Sequence, residues 1–172
     1  MTACYMKIDI AAEYLHDSIA LYKNGRYFSA LTLAGASEEI MGKAIEQLPA
    51  APAGEMTNCS ALNAVIKATL HSDEIFGSMR TEKQIRDQML KPKNRAKHYD
   101  SEQDDSIDFD LQYEAGELIL RAITNYRIVL RDVSEHFGYE EEDIRVHQLH
   151  KLLTKRPIAD VLAEILERAH ER

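Results

Sequence analysis

Between Arg80 and Lys97 the chain places seven basic residues (Arg80, Lys83, Arg86, Lys91, Lys93, Arg95 and Lys97) against two acidic ones, Glu82 and Asp87. The local balance is +5 in a protein of formal net charge −8, which leaves −13 for the remainder. A basic island on an otherwise repelling molecule is where phosphate groups are expected to bind, and Lys91, Lys93, Arg95 and Lys97 are its densest part. His98 stands at its edge, and an imidazole can give or take a proton near neutral pH. Directly afterwards come Asp100, Glu102, Asp104, Asp105, Asp108 and Asp110 with no basic residue among them. A solvated, self-paired charged loop is therefore the structural alternative.

Glu38 is a second chemical candidate. It falls on the row of Leu31, Gly35, Gly42 and Ile45 in the most apolar segment, which implies partial burial. A half-buried carboxylate must find a donor or a cation. Tyr126 or Arg127 of a neighbouring helix is the expected partner, and a ligand the alternative. Glu39, four residues before Lys43, has the order of a surface pair and should face water. Glu13-x-x-His16 and Glu167-x-x-His170 have the spacing used for dimetal sites in helical bundles, with Glu13 and His16 in the expected core. The second pair ends two residues from Arg172, and such a site also needs a glutamate from each of two other helices. His147-x-x-His150 reads as an exposed turn of a polar helix. No metal ligand and no cofactor is assigned. There is no nucleophile elbow, and Gly35 and Gly42 lie inside a helix rather than after a strand, so they form no phosphate loop.

Nearly every segment that could hold these residues has a helical period. Ile8, Ala12, Leu15, Ile19 and Tyr22 recur at spacings of four and three, one stripe along a first helix that Asn24-Gly25 ends. A second helix runs from about Tyr27 to Leu48 and forms an antiparallel hairpin with the first. Its middle, Ala30 to Ser37, is apolar or small nearly all round, as a central bundle element requires. Pro49 to Gly54 reads as a linker, and a shorter helix is predicted from Ser60 to Leu70. Thr81-Glu82-Lys83-Gln84 has capping-box spacing and opens a helix through Ile85, Met89 and Leu90. Pro92 should end or break that helix, because it pushes residue 91 out of the helical region. Asp108 reads as the N-cap of a long helix through Leu111, Leu118, Tyr126 and Phe137, stopped by Gly138. No strand is predicted.

At 172 residues and 45% apolar content, the chain has room for one core without staples. The expected fold class is all-α: an up-down four-helix bundle over 6–138, followed by a C-terminal helical appendage over 139–172. The appendage ends in an amphipathic stripe of Ile158, Val161, Leu162, Ile165 and Ala169. That stripe should pack on the bundle or on another copy, so a homodimer is the expected assembly, and a partner protein at the C-terminal helices the alternative. No run approaches the ~20 apolar residues of a membrane span, and Met1 to Lys7 lacks the pattern of a secretory signal. Cys4 and Cys59 have no metal-type spacing, and reduced thiols in a cytoplasmic setting are the default.

The stretch from Tyr22 to Glu39, Tyr-Lys-Asn-Gly-Arg-Tyr-Phe-Ser-Ala-Leu-Thr-Leu-Ala-Gly-Ala-Ser-Glu-Glu, lies within the hairpin from Tyr14 to Lys43. With Lys93-Asn94-Arg95-Ala96-Lys97-His98, it resembles regions of bacterial HEPN-type bundles, over about Ile8 to Phe137. Many members carry an arginine, often followed by asparagine, and a histidine about four to six residues further on. Here His98 matches the histidine, Asn94 the asparagine, and Lys93 stands in the arginine slot. The resemblance implies a catalytic set of His98, Lys93 and Asn94. The histidine would help an RNA 2′-hydroxyl attack the adjacent phosphate, and the residue in the slot would steady the developing charge, usually across a dimer. Lysine supplies charge without the planar fork that holds phosphate bidentately, so ribonuclease activity of a toxin or defence type should be weak and metal-independent. Other members bind nucleotides or partner proteins without catalysis. The reading reached from the sequence is an HEPN-like protein that binds RNA or nucleotide phosphates through Lys91, Arg95, Lys97 and Glu38. A protein-interaction module is the alternative, and a dimetal carboxylate bundle at Glu13, His16 and Glu38 the second alternative.

Overall fold

The computed structural model describes residues 6–48, 59–77, 80–97 and 108–129, and every regular element in them is a helix. These are α1 Lys7–Lys23, α2 Tyr27–Glu46, α3 Ala61–Phe76, α4 Glu82–Lys97 and α5 Leu111–Ile128, with no strand among the described residues. The fold is all-α, as expected. Asn24, Gly25 and Arg26 make the whole link between α1 and α2. The Asn24 side chain donates to the Ala20 carbonyl at 2.9 Å, and Gly25 takes a φ of 72°, a left-handed value that a side chain would strain. So short a link turns α2 back along α1.

α2 is the central helix, with α1 and α5 as its two main neighbours. Leu15 and Ile19 of α1, Leu31 and Met41 of α2, and Leu118 and Ile119 of α5 belong to one buried cluster. Alanines such as Ala11, Ala30, Ala34 and Ala122 fill the crossings, where small side chains let backbones approach. Ser37, buried among them, donates from Oγ to the Ala11 carbonyl at 2.7 Å and so avoids the cost of an unpaired hydroxyl.

α3 and α4 pack on each other, with α4 also against α2 and α3 against α5. Ile66 and Ile85 are buried there, outside the main cluster. α3 runs past the expected end at Leu70 to Phe76, where Gly77 turns left-handed at φ 73°. The extra length is held by Asp73, whose carboxylate is clasped at both oxygens by the Arg80 guanidinium, at 2.7 and 2.8 Å. The capping box at the start of α4 forms as expected. The Thr81 N–H donates to Gln84 Oε1 at 2.7 Å, and the Gln84 N–H returns to Thr81 Oγ1 at 3.3 Å.

Two boundaries differ from expectation. The cap of α5 is Asp110, which accepts from the Tyr113 N–H at 3.0 Å, and not Asp108. Pro92 neither ends nor breaks α4, which continues to Lys97 with Pro92 buried inside it. The ring removes the N–H that would serve the Gln88 carbonyl. Gln88 is exposed, however, so water can serve that oxygen, and the residue after the proline is tied firmly to α2. A tertiary contact here outweighs a local preference. The expected continuation to Phe137, the 139–172 appendage and the dimer contact assigned to it lie outside the described residues. No helix among the described residues is long and apolar enough to cross a membrane.

Candidate functional site

Gly35 and Gly42 sit two turns apart on α2, and each admits a neighbour that any side chain would push away. A Cβ at Gly35 would lie 2.7 Å from Lys93 Cδ, and one at Gly42 3.3 Å from Asn125 Nδ2. Lys93 of α4 accordingly lays its stem across Gly35. Its Nζ donates to the Gly35 carbonyl at 3.3 Å and to Glu39 Oε2 at 3.0 Å, and stands 3.8 Å from Glu38 Oε2. The Lys93 side chain is 7% exposed and that of Glu38 3%. Glu39, nearer the surface, gives its other oxygen to Lys43 at 2.9 Å. The Lys43 and Lys93 ammonium groups together hold the Glu39 carboxyl well below the usual range, at about 2.

Asn125 of α5 fixes this region from behind. Its Nδ2 donates to the Glu38 carbonyl at 3.0 Å, and its Oδ1 accepts from the Ala61 N–H at 2.7 Å, so one buried amide joins α5, α2 and the start of α3. A chain of polar contacts then crosses the front. Asn63 Nδ2 donates to Glu46 Oε1 at 2.7 Å, and Arg86 Nη2 donates to Asn63 Oδ1 at 2.8 Å and to Glu82 at 2.9 Å. Between these groups lies a cleft of about 320 Å³. Its walls are Glu38, Glu39, Lys43 and Glu46 from α2, Ser60 and Leu62 from the start of α3, and Arg86, Leu90, Lys93 and Asn94 from α4.

Three of the residues singled out from the sequence, Glu38, Lys93 and Asn94, meet in this cleft. Their setting differs from the expected one. Lys93 is buried and engaged by carboxylates rather than open to phosphate, and the Glu38 carboxylate faces Lys93 rather than Tyr126 or Arg127. Glu39, expected to pair with Lys43 in water, does so and also binds Lys93. Lys91 is exposed and Arg95 half-buried, while the Lys97 side chain and His98 lie outside the described residues. Glu13 and His16 are both exposed on α1, with His16 Nδ1 at 3.1 Å from Asp17 Oδ1, so neither points into the core or approaches Glu38. No group of three or more metal-ligating side chains stands together among the described residues.

Sequence reasoning missed Glu46, Ser60, Asn63, Arg86 and Asn125 as parts of one site. Asn125 left a legible trace, an amide inside the apolar stripe of α5. The others are joined only by contacts distant in sequence. Chemically, the cleft balances Glu38, Glu39 and Glu46 against Lys43, Arg86 and Lys93. Lys93 Nζ stands 3.8 Å from Glu38 Oε2, and the buried side-chain polar atom left without a hydrogen-bond partner among the described residues is Arg121 Nε on α5. Arg86 commits only Nη2, leaving Nε and Nη1 without a hydrogen bond to a described residue. Comparison of the chain with family models, with curated proteins and with solved structures gives no match in any of the three.

Proposed function

We propose that this is an HEPN-like helical protein that binds single-stranded RNA through the phosphates of its backbone, along the outer side of α4. The observation that carries the reading is the charge of that one helix. α4 holds Lys83, Arg86, Lys91, Lys93, Arg95 and Lys97 against Glu82 and Asp87, in a chain of net charge −8. Lys83 and Lys91 are exposed, and Arg86 and Asn94 border the cleft beside them. Cations in a row along a helix can follow a phosphate backbone, with affinity drawn largely from released counterions.

The buried setting of Lys93 favours binding without cutting. An ammonium already shared by Glu38, Glu39 and a carbonyl has little left to offer a developing negative charge, so its role is to position α4. The test is fluorescence anisotropy with a short labelled oligouridine across a salt series. Binding is expected to weaken as salt rises, with a slope in log affinity of about −0.7 per neutralised phosphate. Changing Lys83, Lys91 and Arg95 together to alanine should flatten that slope. Equal binding by the triple variant would remove α4 from the interface. Chelator-resistant cleavage to cyclic phosphate ends, abolished by His98→Ala, would replace binding alone with catalysis.

A further inference from the structure

We infer that the cleft between α2, α3 and α4 binds a free α-amino acid with an aliphatic side chain. Its carboxylate sits on Arg86, its ammonium on Glu46, and its side chain against Leu62 and Leu90. The inference goes beyond the RNA reading above, which concerns the outer side of α4.

Four of the six charges in the cleft are committed to one another. Lys43 and Lys93 both bond Glu39, and Lys93 stands beside Glu38. Glu46 and Arg86 are the remaining opposite pair, and they do not meet directly. The Asn63 amide stands between them, its Nδ2 donating to Glu46 Oε1 at 2.7 Å and its Oδ1 accepting from Arg86 Nη2 at 2.8 Å. The same Nη2 reaches Glu82 one turn back on α4 at 2.9 Å, an exposed pair of the kind that water and salt weaken. Glu46 Oε1 also accepts from Ser60 Oγ at 3.3 Å. Glu46 Oε2 and Arg86 Nε and Nη1 make no hydrogen bond to a described residue. Both groups line the cleft and both can be reached from it, Glu46 being exposed and the Arg86 side chain 36% exposed.

The ligand is selected by what Asn63 already does. That amide carries a donor and an acceptor on one carbon, and with them it spans Glu46 and Arg86. An α-amino acid carries an ammonium and a carboxylate on one carbon and makes the same bridge with full charges, which strengthens each hydrogen bond. A lone anion at Arg86 would face the Glu39 and Glu46 carboxylates, and a lone cation at Glu46 would face Arg86 and Lys43. A zwitterion satisfies both signs at once. Leu90 follows Arg86 by one turn of α4, and Leu62 precedes Asn63 on α3, so apolar surface adjoins both polar anchors. A volume of about 320 Å³ is at the small end of ligand sites and suits a single amino acid.

Isothermal titration calorimetry of the intact protein with L-leucine, leucinamide and N-acetyl-L-leucine tests this. Leucinamide lacks the carboxylate, and N-acetyl-L-leucine lacks the ammonium. L-Leucine is expected to bind at least about 10-fold tighter than either, since a hydrogen bond to a charged group is worth that much. L-Alanine, which lacks the outer apolar carbons, should also bind at least about 10-fold more weakly than L-leucine. Arg86→Gln should close the gap between leucine and leucinamide and keep the gap to N-acetyl-leucine. Glu46→Gln, which retains an oxygen for Asn63 and Ser60, should do the reverse. The four ligands alter nothing in the protein, so their ranking stands even if a variant does not fold. Equal affinity for leucine and any of the other three, no heat with L-leucine at millimolar concentration, or each variant closing the opposite gap overturns the site. The triple alanine variant at Lys83, Lys91 and Arg95 separates the two proposals, because it should bind L-leucine as the parent does. Absence of oligouridine binding in the parent sinks the α4 row and leaves the cleft standing, and absence of leucine binding does the converse.

Discussion

The α1–α2–α5 half of this protein and its α3–α4 half are held by different forces. The first is dry: leucine, isoleucine, methionine and alanine side chains form one cluster, the buried Ser18 and Ser37 hydroxyls donate to backbone carbonyls, and Arg121 is the exception, with its Nε lacking a hydrogen-bond partner among the described residues. The second buries Ile66 and Ile85 and is otherwise held by directional contacts: Asp73 with Arg80, Asn63 with Glu46 and Arg86, Lys93 with Glu39 and Glu38, and Ala61 with Asn125. Apolar burial has no direction and forgives small shifts. Hydrogen bonds and ion pairs fix position, and they fail when a single partner is lost. Polar groups are also what a cleft needs to act on a ligand. The half that is less secure thermodynamically is therefore the half that can carry function.

The sharpest way to break the comparison is Lys93→Met. Methionine keeps an apolar stem over Gly35 and removes the charge, leaving Glu38 buried without a cation. Breaking a buried pair from one side costs ~3–5 kcal/mol, and urea denaturation should show a loss of that order. Adding Glu38→Gln should recover much of it, because the stranded charge is gone. A single-variant loss below about 1 kcal/mol would mean that the ion cluster does not hold α4 in place.

Asn125→Ala comes next. It orphans the Ala61 N–H at the start of α3 and removes the donor to the Glu38 carbonyl, both buried. An unsatisfied buried donor costs ~1–3 kcal/mol. Ile119→Val, which trims one methyl group from the dry half, should cost less, ~0.5–1.5 kcal/mol. Equal losses in the two variants would erase the distinction between the halves.

How much of this was legible before any coordinates follows the same division. The stripe from Ile8 to Tyr22, the small-residue middle of α2 and the Thr81–Gln84 box are short-range patterns, and each formed the element expected of it. Glu13 and His16 were misplaced because each lies one residue beyond a stripe member, about 100° around the helix. The failures at Pro92 and Glu38 share a cause: the deciding contacts are remote, with 58 residues separating Lys93 from Gly35. The charge island was visible as composition. What composition lacks is the facing of one helix, which sends Lys93 inward while Lys83 and Lys91 stay in water. Asp108 lost the cap to Asp110 by two positions, a difference no local preference distinguishes.

Gly35→Ala sharpens the comparison at a smaller scale. A methyl group there meets Lys93 Cδ at 2.7 Å, and Lys93 cannot yield freely because its ammonium is bonded at both Gly35 and Glu39. Overpacking costs ~1–3 kcal/mol, and replacing glycine inside a helix returns ~1 kcal/mol. A net loss of ~1–2 kcal/mol is expected, with amide exchange accelerated in α4 before α1. An unchanged or raised melting temperature would show that Lys93 has room to move.

The smallest effect is on acid stability. The Glu39 carboxyl lies at about 2 in the folded protein against an ordinary 4.5, because Lys43 and Lys93 both bond it. A carboxyl lowered by folding stabilises the fold above its ordinary value, and that contribution is lost as pH falls toward the lowered one. Asp73, lowered from 3.8 by Arg80, acts in the same direction. The α3–α4 half should therefore loosen between pH 4.5 and 2 before the dry half does, seen as earlier amide exchange in α4 than in α1. Glu39→Gln should be less stable than the parent at pH 6, with the gap closing toward pH 2. The Glu39 side chain is 44% exposed, so solvent and salt screen the pair, and the gap should shrink further in molar salt. A gap independent of pH would mean that Glu39 acts through packing rather than charge, and the polar half would then owe less to ions than its geometry implies.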